Sequence, residues 1–210
     1  MSTVRRLGAL ALAPLLLAGC QNRPEVTPGP GADLAGARRL LIVEAVDRPI
    51  PLVVDRVPAA LAGPAAEQDI ATLAARAVPW SNASFAPVPL ESGRTGTHLV
   101  FRFADAGAVR PEEACAGGAP AGGAGVPPPG PPRLHAVLCN GPTPVADVTG
   151  VATGSSRAEA EQLVTDTTAR LFPDYGQASG GRYPGVSIFG GVGIGSGGRS
   201  GGGLGVGLGF

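Results

Sequence analysis

The chain has 210 residues, of which 34 are Gly and 22 are Pro, a share typical of proteins with low-complexity segments. All 16 basic residues are Arg, and they balance 16 Asp and Glu, so no charge excess indicates a nucleic-acid partner. The absence of Lys from the sequence also excludes a Walker-type phosphate loop and a Schiff-base lysine.

The first nineteen residues have the pattern of a secretory signal peptide. Arg5 and Arg6 form a short positive segment, and an apolar stretch of eleven residues follows from Leu7 to Leu17. That stretch is shorter than the roughly twenty residues that a membrane-spanning helix needs. Residues 1–19 are therefore predicted to be removed from the mature protein.

The end of this segment, Leu17-Ala18-Gly19-Cys20, resembles the lipobox of bacterial lipoproteins at all four positions. The resemblance implies that a lipoprotein signal peptidase recognises Leu17, Ala18 and Gly19 and cleaves before Cys20. It also implies that Cys20 carries diacylglycerol and an N-acyl chain such as palmitate, and several such chains hold a protein firmly on a membrane. The alternative is an ordinary secretory signal in which Cys20 is incidental.

The residue after Cys20 bears on the membrane to which the protein is sorted. Residue 21 is Gln, and by analogy with enterobacterial sorting the absence of Asp there favours the outer membrane over the inner one. We expect the domain to face the periplasm, with exposure at the cell surface as the alternative.

Composition then divides the rest of the chain. Residues 20–37 are rich in Pro and Gly and lack an apolar period, which predicts a tether that begins at the lipidated Cys20. Residues 38–173 have a globular composition and are long enough for a single domain. Residues 174–210 form a Gly-rich tail.

The first half of the domain contains a predicted strand and a predicted helix. The apolar run at 40–46 resumes at 52–54 after two prolines, which predicts a buried strand followed by an irregular or edge segment. Residues 64–77 place apolar side chains at helical spacing, with acidic residues in the first turn, which predicts a helix.

The second half is predicted to be mostly strands, followed by a helix. Ser156 and Glu159 form a capping-box pattern that begins a helix ending near Leu171. The order β-α-β-β-β-β-α predicts an α+β fold in two layers, a mostly antiparallel sheet of about 4–5 strands with two helices on one face. The strands in this half are predicted at residues 85–90, 98–103, 133–139 and 145–151.

Two cysteines remain after Cys20. Export predicts that Cys115 and Cys139 form a disulfide around a flexible Gly, Pro and Ala loop at 116–132, and the alternative is two free thiols at a metal or redox site. His98 and His135 each stand in a strand without a nearby carboxylate in the sequence. We therefore expect both histidines to serve in surface or cross-strand packing rather than as a metal pair, and we predict no metal site and no cofactor.

The tail alternates apolar residues with glycine. Leu204, Val206, Leu208 and Phe210 share one face of a potential strand, and residues 186–194 alternate similarly. Three interpretations compete: a flexible segment, a hairpin that docks on another sheet or on itself, and a strand of an oligomeric membrane assembly.

The lipobox, tether, small domain and Gly-rich tail together look like a class of proteobacterial lipoproteins of unknown function, for which no catalytic residues are established. The sequence contains no recognisable active-site motif. It therefore predicts a non-enzymatic cell-envelope lipoprotein that binds another envelope component through its sheet edge or exposed sheet face. The alternative is an oligomeric outer-membrane assembly built by the C-terminal hairpin. The least favoured hypothesis is a hydrolase with a cryptic site, which would require a deep pocket with converging carboxylates or a His–carboxylate pair.

Overall fold

The computed structural model describes residues 23–89, 95–104, 110–117, 130–175, 186–194 and 200–208. The chain divides into two compact units between Pro173 and Asp174. Within the described residues, no helix has the length and apolar character needed to cross a membrane.

One mixed sheet of six strands, in the order β1-β6-β5-β4-β2-β3, forms the centre of the first unit. Strands β1, β6, β5 and β4 are paired antiparallel, whereas β2 runs parallel to both β4 and β3. The predicted α+β class with a mostly antiparallel sheet is confirmed, although the sheet is wider than expected. The strands are β1 (Glu25–Pro28), β2 (Ile50–Asp55), β3 (Phe85–Pro87), β4 (Thr97–Ala104), β5 (Arg133–Asn140) and β6 (Thr143–Val151).

Three helices, α1 (Leu34–Glu44), α2 (Ala66–Ala77) and α4 (Arg157–Leu171), cover one face of the sheet, while the short α3 (Pro111–Cys115) lies on the other. The main core consists of apolar side chains from these three helices and from alternate positions of β4 and β5. The predicted helices at 64–77 and after Ser156 are therefore confirmed as α2 and α4. The capping box is present, because the Ser156 hydroxyl and the Glu159 side chain each accept a hydrogen bond from the other residue's backbone N–H.

The strand predicted at 40–46 is wrong, because residues up to Glu44 belong to α1. The Asp33 side chain accepts a hydrogen bond from the Gly36 N–H at 2.7 Å and begins the helix. Leu41 is fully buried, whereas the neighbouring Ile42 and Val43 remain exposed. A short apolar run does not distinguish a strand from a helix, and here the cap and one-sided burial favour the helix.

The segment predicted as a tether also contributes to the fold. Residues 25–28 form β1, an edge strand in which Glu25 lies opposite Val151 and Pro28 lies opposite Val148 of β6. Proline is tolerated at an edge because its missing N–H would have faced away from the sheet. The first unit therefore begins before residue 38.

The second unit contains an antiparallel hairpin of β7 (Val186–Ile194) and β8 (Ser200–Leu208). Val186 lies opposite Leu208, and Ile194 lies opposite Ser200. Of the three interpretations of the tail, the backbone of these residues corresponds to the hairpin. Phe210, at the end of the predicted alternation, lies outside the described residues.

Candidate functional site

The predicted site residues fall in two regions of the chain. Leu17, Ala18, Gly19 and Cys20 lie outside the described residues. Cys115 and Cys139 form a disulfide, and both are buried, so the bond fastens α3 onto β5. Most of the loop expected at 116–132 also lies outside the described residues.

Polar side chains form a row across the sheet on the face opposite α1, α2 and α4. In the strand register Asp55 lies opposite Arg102, Arg102 opposite His135, and His135 opposite Thr149. Asp147 is two residues from Thr149 and therefore shares its face of β6. We call these five residues from β2, β4, β5 and β6 the polar row.

Two side-chain contacts hold the polar row together. The Arg102 Nε atom lies 2.9 Å from the Asp55 Oδ2 atom, and the His135 Nε2 atom lies 3.1 Å from the Asp147 Oδ2 atom. Only 4% of the Arg102 side chain and 8% of the His135 side chain are exposed. These groups are therefore largely removed from water. In the protein interior, good contact geometry is needed to offset the cost of desolvating charged groups.

Both faces of β4 are therefore buried. Leu99, Phe101 and Phe103 face the helices, but His98 and Arg102 on the other face are also buried. The sequence signal was present in part, since an Arg within an apolar strand has to find a partner if both faces are covered. That partner, Asp55, belongs to a strand that is distant in the sequence.

The two histidines occupy separate places on this face. His98 lies opposite Cys139, and its Nδ1 atom is 3.0 Å from the Gly96 carbonyl oxygen, so its surroundings are those of a packed strand residue. His135, in contrast, has a carboxylate partner that sequence spacing did not suggest. In the described part of the chain, no three His, Cys, Asp or Glu residues are grouped so that they could hold a metal ion.

The His135–Asp147 pair resembles half of an acid–base site. Nε2 is held by the carboxylate, while Nδ1 is buried and has no hydrogen-bond partner among the described residues. Catalysis also requires room for a substrate. An open depression of about 500 Å³ lies at the start of α2, and the largely buried His135 ring does not line it. That depression is lined mainly by Pro, Ala and Gly, with Glu67 as the charged side chain.

The pair instead has a clear structural consequence for β1. The Gly29 N–H donates to the Asp147 carbonyl oxygen at 2.9 Å, and a Cβ atom on Gly29 would overlap the Asp147 carboxylate. Asp147 therefore contacts His135 on one side and the end of β1 on the other. This geometry makes Asp147 a clamp between the N-terminal strand and the centre of the sheet.

A second candidate surface lies on α1 and the turn that follows it. The exposed fractions of Ile42, Val43 and Val46 are 42%, 67% and 76%, the highest among the large apolar residues of the first unit that the structure describes. We call these three residues the α1 apolar patch. The opposite side of α1 contributes Ala37 and Leu41 to the core.

Comparison with known proteins gives only distant structural likenesses. No protein-family model matches the chain, and no curated protein matches it. The PelC dodecamer from Paraburkholderia phytofirmans has a TM-score of 0.36 and 14% identity, covering 71% of this chain and 97% of that one. A single-substitution variant of that dodecamer has a TM-score of 0.35 and 16% identity, covering 73% and 99%. Likenesses at this level support no conclusion about the present chain.

Proposed function

We propose that this protein is a lipid-anchored, non-enzymatic protein of the bacterial cell envelope whose first unit binds another envelope protein. Its anchor is acylated Cys20, its membrane is the outer membrane, and the folded units face the periplasm. The α1 apolar patch is the observation that supports the binding function.

The composition of the α1 apolar patch supports a role in contact with a partner. Val and Ile lower helix stability because their branched side chains lose rotamer freedom against the preceding turn. Ile42 and Val43 nevertheless occupy exposed positions of α1, with Val46 beside them. Neither helix propensity nor burial within the unit explains these choices, whereas removal from water by a partner does.

The sheet edges are less suitable as binding surfaces than the sequence suggested. Strand β3 has three residues and ends at Pro87, and β1 has four and ends at Pro28. Short edges that contain proline are typical of sheets protected against pairing with another chain. The exposed side of α1 is therefore the better surface for a partner.

Site-specific photocrosslinking in intact cells tests the binding function. A photoreactive residue at Val43 should give a discrete adduct with an envelope protein, because this position belongs to the α1 apolar patch and its side chain is exposed. Gln162 is exposed on α4 and provides the matched control. Equal labelling from positions 43 and 162 would contradict the proposal.

The anchor is tested separately from the binding surface. Globomycin or a Cys20→Ala change should cause the uncleaved precursor to accumulate, because lipidation precedes cleavage by the lipoprotein peptidase. Unchanged size and unchanged fractionation with outer membranes would show that the anchor is wrong while leaving the photocrosslinking result valid.

An assembly of several copies at the outer membrane through the C-terminal hairpin is the second candidate function. The observation that favours it is the register of β7 and β8, two nine-residue strands in which Val186 lies opposite Leu208 and Ile188 lies opposite Val206. A two-stranded hairpin alone is only marginally stable in water, so this one requires further pairing or packing.

A further inference from the structure

We propose that the hairpin pairs edge to edge with the hairpin of a second copy, so that β8 of one chain adds to β7 of the next. This inference rests on the second candidate function and specifies its partner and its contact.

The edge strands of the two units differ in length and composition. The first unit ends its sheet with β1 and β3, which are short and contain proline. Strands β7 and β8 each extend over nine residues and contain neither proline nor a charged residue. Long edges without such residues are templates for pairing with another strand.

Strands β7 and β8 match each other in length and register. Within the hairpin, Ile188 lies opposite Val206, and Gly191 lies opposite Gly203. Because both strands have nine residues, the same register between β8 of one copy and β7 of the next leaves no overhang. Each addition therefore continues one face of apolar positions and one face rich in glycine.

The glycine content of β7 and β8 weakens a hairpin that has no further strand beside it. Eight of the eighteen strand positions are glycine, which loses more backbone entropy on ordering than any other residue. Cross-strand side-chain pairs stabilise a sheet, and glycine pairs such as Gly193 with Gly201 provide none. Backbone hydrogen bonds along both edges of each hairpin compensate for this, and a second copy provides matching edges.

The proposed contact joins β8 of one copy to β7 of the next, and because these two edges are different the contact is head to tail. An interface of this kind generates a ring if the rotation closes and a filament if it does not. Strands β7 and β8 are antiparallel within the hairpin, and the proposed addition continues this order, with β7 of the next copy opposite in direction to β8 of the first.

Disulfide trapping between two single-cysteine variants tests the contact. Ile188→Cys and Val206→Cys chains are produced separately and together, and are oxidised mildly in the envelope. We expect a disulfide-linked dimer when the two variants are mixed and less than a tenth as much from either variant alone. Gln162→Cys provides the control and should give no dimer in any mixture, since the chain's Cys115 and Cys139 are already joined.

Deletion of residues 186–210 and native-size measurement separate this inference from the function on which it rests. Dimers formed mainly within one variant would show that like edges meet, which overturns the head-to-tail contact but leaves the assembly intact. Oligomers that disappear on deletion but are never trapped would also overturn edge pairing alone. Oligomers that survive the deletion, or a wild-type protein that is monomeric throughout, would overturn both.

Discussion

Arg102 and Asp55 are joined in the interior of the first unit, where neither group can easily exchange its partner for water. The Arg102 side chain is 4% exposed and that of Asp55 is 14% exposed. Pairing of this kind adds little stability compared with apolar residues of the same size. Loss of one partner, however, leaves the other charge buried and unpaired.

We expect Arg102→Met to destabilise the first unit by about 3–5 kcal/mol, because it leaves the Asp55 carboxylate buried without its guanidinium. The double variant Arg102→Met with Asp55→Leu should recover a substantial part of that loss. Urea unfolding of both variants measures the difference. A loss below about 1 kcal/mol in the single variant would show that water reaches Asp55.

Gly29 is required where β1 approaches Asp147. We expect Gly29→Ala to cost about 1–3 kcal/mol, because the added Cβ atom would displace the carboxylate that holds His135. Gly63→Ala is the matched control, since a Cβ atom there meets no other atom within 4 Å, and its effect should stay within about 0.5 kcal/mol. Thermal unfolding and the His135 ring resonances provide the two measurements, and an unshifted His135 in Gly29→Ala would contradict the clamp.

At the level of secondary structure, local signals predicted most of the first unit. The capping box of Ser156, the acidic first turn of α2 and the short strand segments of β4 and β5 each depend on neighbours within a few residues. These signals specified helix and strand correctly because packing did not oppose them.

Elements that depend on distant partners could not be predicted in this way. The apolar run before Val46 is compatible with a strand or a helix, and β1 is defined only by β6, more than a hundred residues later. The polar row requires the register of β2 against β4, which are parallel and joined through α2 and β3. No spacing in the sequence carries that information, so Asp55 could not be predicted as the partner of Arg102.

The start of α4 predicts a specific pH dependence. The pKa of Glu159 is lowered from its ordinary value of 4.5, first by the hydrogen bond from the Ser156 hydroxyl and then by the Ser156 backbone N–H. A carboxylate with a depressed pKa stabilises the fold above its ordinary pKa, and that contribution is lost as the pH falls through the folded-state value.

We expect Ser156→Ala to move the pKa of Glu159 up towards 4.5 and to lower the thermal midpoint at pH 7. The difference in midpoint from the wild type should shrink as the pH falls through the lowered folded-state pKa of Glu159, because below that value Glu159 is protonated in both proteins. Carboxyl-carbon NMR titration measures the pKa. Gln162→Ala on the same helix should leave it unchanged, and an equal shift in that control would argue against the cap as its cause.

The disulfide between α3 and β5 predicts a redox dependence of stability. Cys115 and Cys139 are separated by 24 residues, and in the chain-entropy description a closed loop of this length contributes about 3.5 kcal/mol. Reduction should therefore lower the free energy of unfolding by a few kcal/mol in urea titrations. The Cys115→Ala, Cys139→Ala double variant should not respond to reductant, and a response there would assign the effect to another group.

For the whole molecule, the composition provides an independent test of acylation. The chain contains no lysine, so the α-amino group is its only aliphatic amine. If that amine is acylated on Cys20, we expect an amine-reactive dye to leave the mature protein unlabelled. The unprocessed Cys20→Ala chain has a free amino terminus and should take up about one dye per chain. Labelling of both to the same extent would contradict N-acylation.

Because residues 25–28 belong to the sheet, they limit the distance that can separate the first unit from an anchor at Cys20. If Cys20 is acylated, only residues 21–24 separate the lipid from Glu25. Five residue steps extend to at most about 17 Å, less than the thickness of one bilayer. An acylated protein would therefore be held close to the membrane that carries its lipids. A partner would then have to bind it near that membrane surface.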